Sequence, residues 1–108
     1  MKLKFLFLIF YCCVLLPAHA QDNGLEMDKI ALDRGIKAYE KGKFERALDI
    51  WNRLIKDNPN NPVYFYNRGN TYYGMKKYKK ASRSYRAAAR IGGPLRVISF
   101  LYMAICYD

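Results

Sequence analysis

Two stretches of this chain fall into step at an offset of 34 residues. Gly35 pairs with Gly69, Arg34 with Arg68, Tyr39 with Tyr73 and Phe44 with Tyr78. Ala47 pairs with Ala81, Trp51 with Tyr85 and Leu54 with Ala88. Small residues meet small ones and aromatics meet aromatics. A register of this length constrains the fold more than composition does. One unit of that size cannot bury its apolar face alone, so successive units must stack.

Each unit reads as helix, tight turn, helix. Ala81, Tyr85, Ala88 and Ala89 recur at spacings of three and four, one face of a helix, and Lys79, Arg83, Arg86 and Arg90 form the opposite stripe. Ala47, Ile50, Trp51, Leu54 and Ile55 make the equivalent apolar face of the first unit. The run Asp57-Asn58-Pro59-Asn60-Asn61-Pro62 stops one helix and restarts another, and Gly92-Gly93-Pro94 does so again. Lys41-Gly42-Lys43 and Gly74 to Lys77 are the turns inside each unit. These signals predict helices at 27–41, 44–57, 62–74, 78–91 and 95–107. The expected fold class is all-α.

On these residues the units resemble tetratricopeptide repeats. With the first unit counted from Asp28, Gly35, Ala47, Trp51 and Pro59 fall on the family's small, alanine, aromatic and proline positions, with Ala38 where an aromatic is usual. With the second counted from Pro62, Gly69, Tyr72, Ala81 and Tyr85 do the same, and NRGNTYY, Asn67 to Tyr73, is close to the family's first-helix text. Arg34 and Arg68 replace the usual leucine before the glycine, and the second unit carries one extra residue near Gly92-Gly93. The implied architecture is a helix-turn-helix solenoid with two full repeats, 28–61 and 62–96, and one unpaired C-terminal helix, 97–108. Residues 21–27 are read as a short linker and 1–20 as a signal peptide.

The last twelve residues, VISFLYMAICYD, hold only Ser99 and Asp108 as polar residues. An offset of 35 pairs Phe100 with Phe65, Ala104 with Gly69 and Tyr107 with Tyr72, which makes this segment the first helix of a third repeat. Phe100, Ala104 and Tyr107 are expected to pack on the second unit. Ile98, Leu101, Tyr102 and Ile105 are expected to face the place of the missing second helix or to line the groove, and to form an interface. Three occupants stay open there: another copy of the chain, a segment of a different protein, or the rest of a longer repeat array. Cys106 is read as a small buried apolar residue.

The resemblance also implies a concave groove lined by the first helix of each unit. Carried over position by position, it falls on Lys29, Leu32, Ile36 and Tyr39 and on Val63, Tyr66, Asn70 and Tyr73. Leu32, Ile36, Tyr39, Tyr66, Asn70 and Tyr73 are the candidate partner-binding residues: amphipathic rings flanking an amide suit an extended peptide or a helix. The carboxylate clamp of some family members does not fit. Leu32 and Ile36 stand where its first Lys and Asn belong, Ile98 and Tyr102 where its last Lys and Arg belong, and only Asn67 matches.

Net charge is +10, and from Pro62 to Arg96 there is no Asp or Glu. Lys76, Lys77, Lys79, Lys80, Arg83, Arg86 and Arg90 form a basic ridge. Such a ridge suits an anionic surface, lipid headgroups or an envelope polymer, or else serves as a solvated face. At the other end, Lys2 and Lys4 precede an apolar run from Phe5 to Leu16, then Pro17 and Ala18-His19-Ala20. As a helix that run is about 18 Å long, short of the roughly 30 Å hydrocarbon core. The pattern is that of an export signal, read first as cleaved after Ala20 with an uncleaved anchor as the alternative, and places the chain in a bacterial periplasm or outside the cell. Cleavage removes His19, Cys12 and Cys13, leaving no histidine and one cysteine. That inventory excludes thiol–imidazole catalysis and a His/Cys metal cluster. The reading is a non-catalytic protein-interaction scaffold without a cofactor, binding another protein or itself. The export signal disfavours nucleic acid as the partner.

Overall fold

The computed structural model describes residue 24 and residues 26–107. The readings on residues 1–20, including Cys12, Cys13 and His19, lie outside the described residues. The chain divides into two compact units, Met1–Ile30 and Ala31–Asp108. Of the first, the described part is helical at residues 26–30, with a Lys29–Glu26 ion pair at 3.4 Å one helical turn apart. The elements below belong to the second, apart from residues 26–30 of the first helix.

Five α-helices and one 3-10 turn occur among the described residues, and no strands. They are α1 (26–40), α2 (Phe44–Asp57), α3 (Pro62–Gly74), α4 (Tyr78–Ile91) and α5 (Arg96–Ile105), with the 3-10 turn Gly93–Leu95 leading into α5. Helix α1 is already formed at residue 26, inside the stretch read as a linker, because the Glu26–Lys29 pair supports its first turn. Helix α5 starts after a 3-10 turn and ends at Ile105, shorter than expected at both ends: left-handed Gly92 and Gly93 (φ 93° and 76°) make the break.

The chain reverses between repeats on Asn61, whose side-chain oxygen accepts from the Val63 N–H at 3.0 Å while Pro62 opens α3. Inside each repeat the turn has one geometry. Gly42 N–H donates to the Tyr39 carbonyl (2.9 Å) and Lys43 N–H to the Ala38 carbonyl (2.8 Å). Lys76 and Lys77 repeat this onto the Tyr73 and Tyr72 carbonyls, both at 2.9 Å. The middle residue is left-handed each time, Gly42 at φ 73° and Lys76 at φ 61°.

The core is built from one contact used twice. Trp51 lies over Gly35 so closely that a Cβ there would come within 2.5 Å of the indole. Tyr85 lies over Gly69 in the same way, at 2.6 Å. The small residue of the first helix therefore seats the aromatic of the second helix of its own repeat. Around Trp51, Ala38, Ala47, Leu54 and Tyr64 close an apolar cluster, with Leu32, Ile36, Ile50, Ile55 and Val63 packed against it. Around Tyr85 the buried residues are Ala81, Ala88, Ala89, Ser82 and Ser84.

That contact corrects one expectation. Phe100 and Ala104 are exposed and do not pack on the second unit; Tyr107, also exposed, reaches Arg86 of α4 through its hydroxyl. Ala104 holds the position of Gly69, and that position faces the second helix of its own repeat, not the preceding repeat. The stripe of α5 that meets α4 is instead Ser99, Tyr102, Met103 and Cys106, at helical spacing.

Candidate protein-binding surface

The predicted groove residues divide by burial. Leu32 and Ile36 are half-buried against the Trp51 cluster. Tyr39 is exposed, its ring tilted against Phe44 with centroids 5.7 Å apart. Tyr73 is exposed likewise and meets Tyr78 edge-on at 5.3 Å. These two rings hold the same place in successive repeats.

Tyr66 and Asn70 are drawn into a knot. The Tyr85 hydroxyl donates to Asn70 Oδ1 at 2.6 Å. Tyr66 packs on Tyr85 at 5.8 Å and edge-on to Tyr102 at 6.0 Å, and Tyr102 stacks on Tyr85 at 5.5 Å. Burial pushes the Tyr85 phenol well above its usual range, with Cys106 and the neighbouring tyrosines adding to the shift. Burial raises Tyr66 too, against the hydrogen bond from Asn70, and burial raises the Cys106 thiol. Three helices thus share one tyrosine cluster, and Asn70 is already engaged inside it.

The faces of α5 separate cleanly. Of the predicted interface residues, Ile98, Leu101 and Ile105 are exposed, while Tyr102 is turned inward onto Tyr85. Val97 at 71%, Leu101 at 60% and Ile105 at 51% exposure form a continuous apolar stripe on the outer face, flanked by Phe100 and Tyr107.

The ridge residues Lys76, Lys77, Lys79, Lys80, Arg83, Arg86 and Arg90 are all exposed. Lys80 lies over the Tyr72 ring at 5.8 Å and Arg86 Nη2 donates to the Tyr107 hydroxyl at 3.3 Å. Among the described residues the ion pairs are both on α1, Glu26–Lys29 and Asp33–Lys37, so none reaches the ridge. Among the described residues no group of three His, Cys, Asp or Glu is placed to hold a metal ion, and no helix of the described residues is long and apolar enough to cross a membrane.

Two features escaped the sequence reading. Arg68 bridges the repeats: its Nε donates to Ser84 Oγ at 3.0 Å, its Nη1 to Asn52 Oδ1 at 3.1 Å, and its guanidinium lies 5.2 Å over Phe65. Burial lowers its pKa. The second feature is a basic hollow in the first repeat, lined by Arg34, Lys37, Ala38, Lys41, Lys43 and Arg46. The spacing of Arg34, Lys37 and Lys41 along one helical face was the available signal; a charge count by segment hides it behind the acids of the first half.

The family described as TPR repeat matches residues 37–76, from the end of α1 through the second turn. RNA polymerase II-associated protein 3 of Homo sapiens is 26% identical over 68 residues, 59% of this chain and 10% of that protein. Its Gallus gallus counterpart is 30% identical over 66 residues, 57% of this chain and 10% of the relative. The Rattus norvegicus counterpart is 28% identical over 90 residues, 69% of this chain and 14% of the relative. This chain therefore spans about a tenth of the length of these curated relatives. No solved structure matches it.

Proposed function

We propose that this chain, a member of the tetratricopeptide-repeat family, is a non-catalytic scaffold of the cell envelope that binds another protein through its groove and the outer face of α5. Repeats of this family serve in general as protein-interaction folds. The observation that carries the proposal is the apolar stripe of Val97, Leu101 and Ile105. In the two complete repeats, the matching face of the first helix is covered by a second helix seated on a glycine. On α5 that face meets water, at a cost of about 25 cal/mol for each Å² of apolar surface left uncovered. The exposed rings of Tyr39 and Tyr73 extend the apolar surface along the groove side. The same α5 face would stack a further helix where the chain belongs to a longer array.

Export rests on the N-terminal pattern of Lys2, Lys4 and the apolar run Phe5–Leu16. Photo-crosslinking in the cells that make the chain tests the scaffold reading. A photoreactive residue at Leu101, Ile105 or Tyr73 is expected to trap a protein adduct, and one at Arg83 to trap none. An adduct of twice the chain's mass identifies a second copy as the occupant. No adduct at any of the three positions, or equal adducts at all four, contradicts the proposal.

A second reading has its own observation. The seven-cation ridge of α4 and its turn is exposed and takes part in no ion pair among the described residues. It suits an extended anionic surface in the envelope, with an attraction of about 1 kcal/mol per cation near such a surface. Vesicle binding that falls steeply with salt and is abolished by Lys79→Glu/Arg83→Glu supports that reading; binding indifferent to both rejects it.

A further inference from the structure

The hollow in the first repeat belongs neither to the groove nor to the ridge. It encloses about 180 Å³. That is the share of roughly six waters in the liquid. Its cations come from three successive elements: Arg34 and Lys37 from α1, Lys41 and Lys43 from the turn, Arg46 from α2. Ala38 is the single apolar residue in its lining. One carboxylate intrudes, Asp33, whose Oδ2 pairs with Lys37 Nζ at 2.9 Å. That pair's hydrogen bond, then its charge, raises the Lys37 pKa, with a smaller contribution from Glu40. Arg34, Lys41, Lys43 and Arg46 take part in neither ion pair of the described residues.

The second repeat supplies an internal control. At the offset of 34, the five cations correspond to Arg68, Thr71, Met75, Lys77 and Lys80. Arg68 is spent on Ser84 and Asn52, and Thr71 is buried under the Trp51 indole. The first helix of the second repeat therefore offers no cation to its turn. A separate, open basin of about 600 Å³, lined by Lys76, Lys77, Tyr78, Lys79, Lys80 and Cys106, shares Lys77 and Lys80 with those positions and takes no residue from α3. The five cations of the hollow are therefore not all repeated in the second unit, where Thr71 and Met75 stand in place of Lys37 and Lys41.

We infer that the hollow of Arg34, Lys37, Lys41, Lys43 and Arg46 is a binding site for a compact, multiply charged oxyanion, a soluble oligophosphate. Donors from three successive elements match tetrahedral phosphate groups better than a planar carboxylate, and each phosphate brings more charge. Among the described residues of the lining there is no aromatic ring on which a nucleobase could stack. A flat membrane surface would meet the rim of a concave site rather than its floor. This inference does not rest on the protein-binding proposal and can fail without it.

The test is calorimetric titration of the full chain with tripolyphosphate. Two variants each remove three cations: Lys41→Gln/Lys43→Gln/Arg46→Gln in the hollow and Arg83→Gln/Arg86→Gln/Arg90→Gln on the ridge. The expected result is one site per chain, weakened at least about tenfold by the hollow variant and less than about twofold by the ridge variant. Asp33→Asn, which releases Lys37, should tighten binding, a gain that misfolding cannot produce. Equal weakening by both triple variants, no heat with tripolyphosphate, or no gain from Asp33→Asn overturns the inference. So does binding confined to phosphatidylglycerol vesicles, which would make the ligand a lipid surface.

Discussion

Trp51 and Tyr85 hold the same place in the two repeats and are both fully buried, yet they are finished differently. Trp51 sits among aliphatic and aromatic neighbours, and its one polar atom donates to Thr71 Oγ1 of the next helix at 2.9 Å. Thr71 in turn donates to the Asn67 carbonyl at 2.8 Å. Tyr85 packs against Tyr66, bonds to half-exposed Asn70, and is roofed by Tyr102 of α5. The helix that covers Trp51 is itself covered, by α4. The helix that covers Tyr85 has an open outer face. The contact of aromatic on glycine closes a repeat internally; what differs is how far the next layer completes it. The molecule thus grades from a sealed first repeat to an uncovered α5, and the uncovered end is where a partner protein is proposed to dock.

The largest test of that contrast is truncation of the two aromatics. Trp51→Ala should cost about 4 kcal/mol and Tyr85→Ala about 3, read by chemical denaturation, since the second site can relax through α5. Equal losses would erase the gradient. Next, Thr71→Val leaves the buried indole N–H without an acceptor and should cost about 2 kcal/mol, whereas Tyr85→Phe frees an Asn70 that water can reach and should cost about 1. The two sites should also differ in alkali. Burial raises the Tyr85 phenol, so the fold favours its neutral form. Stability is then intact below the unfolded phenol value near 10 and falls as pH rises from there toward the higher folded value. Tyr85→Phe should flatten that decline in a denaturation series, and Thr71→Val should leave its slope unchanged. Smallest among the core and turn effects, Lys76→Gly should stabilise by about 0.5–1 kcal/mol by relieving a left-handed lysine, while Gly42→Ala in the matching turn should cost about 1.

The repeat register and the helices were legible because their causes are local. Asn61-Pro62 caps and starts α3, Gly92-Gly93 stops α4, and the apolar faces of α2 and α4 follow the helical period. The orientation of α5 was not legible, because its small residue Ala104 could face either neighbour until Tyr85 on Gly69 showed which side that position serves. The engagement of Tyr66 and Asn70 depends on Tyr102, which arrives from another helix. The hollow depends on which side of α1 the acids take: Asp33 reaches Lys37, but no carboxylate lines the floor.

The central claim is that the outer face of α5 is free in the folded chain and available to a partner. The direct measurement is the unfolding free energy of Gln21–Asp108 carrying Leu101→Glu and Ile105→Glu, beside the parent. Surface changes of this kind move stability by about 0.5 kcal/mol or less each. The account therefore predicts a variant within about 1 kcal/mol of the parent. A loss of about 3 kcal/mol or more would mean that Leu101 and Ile105 are buried in the folded chain, and that no open face exists for a partner to cover.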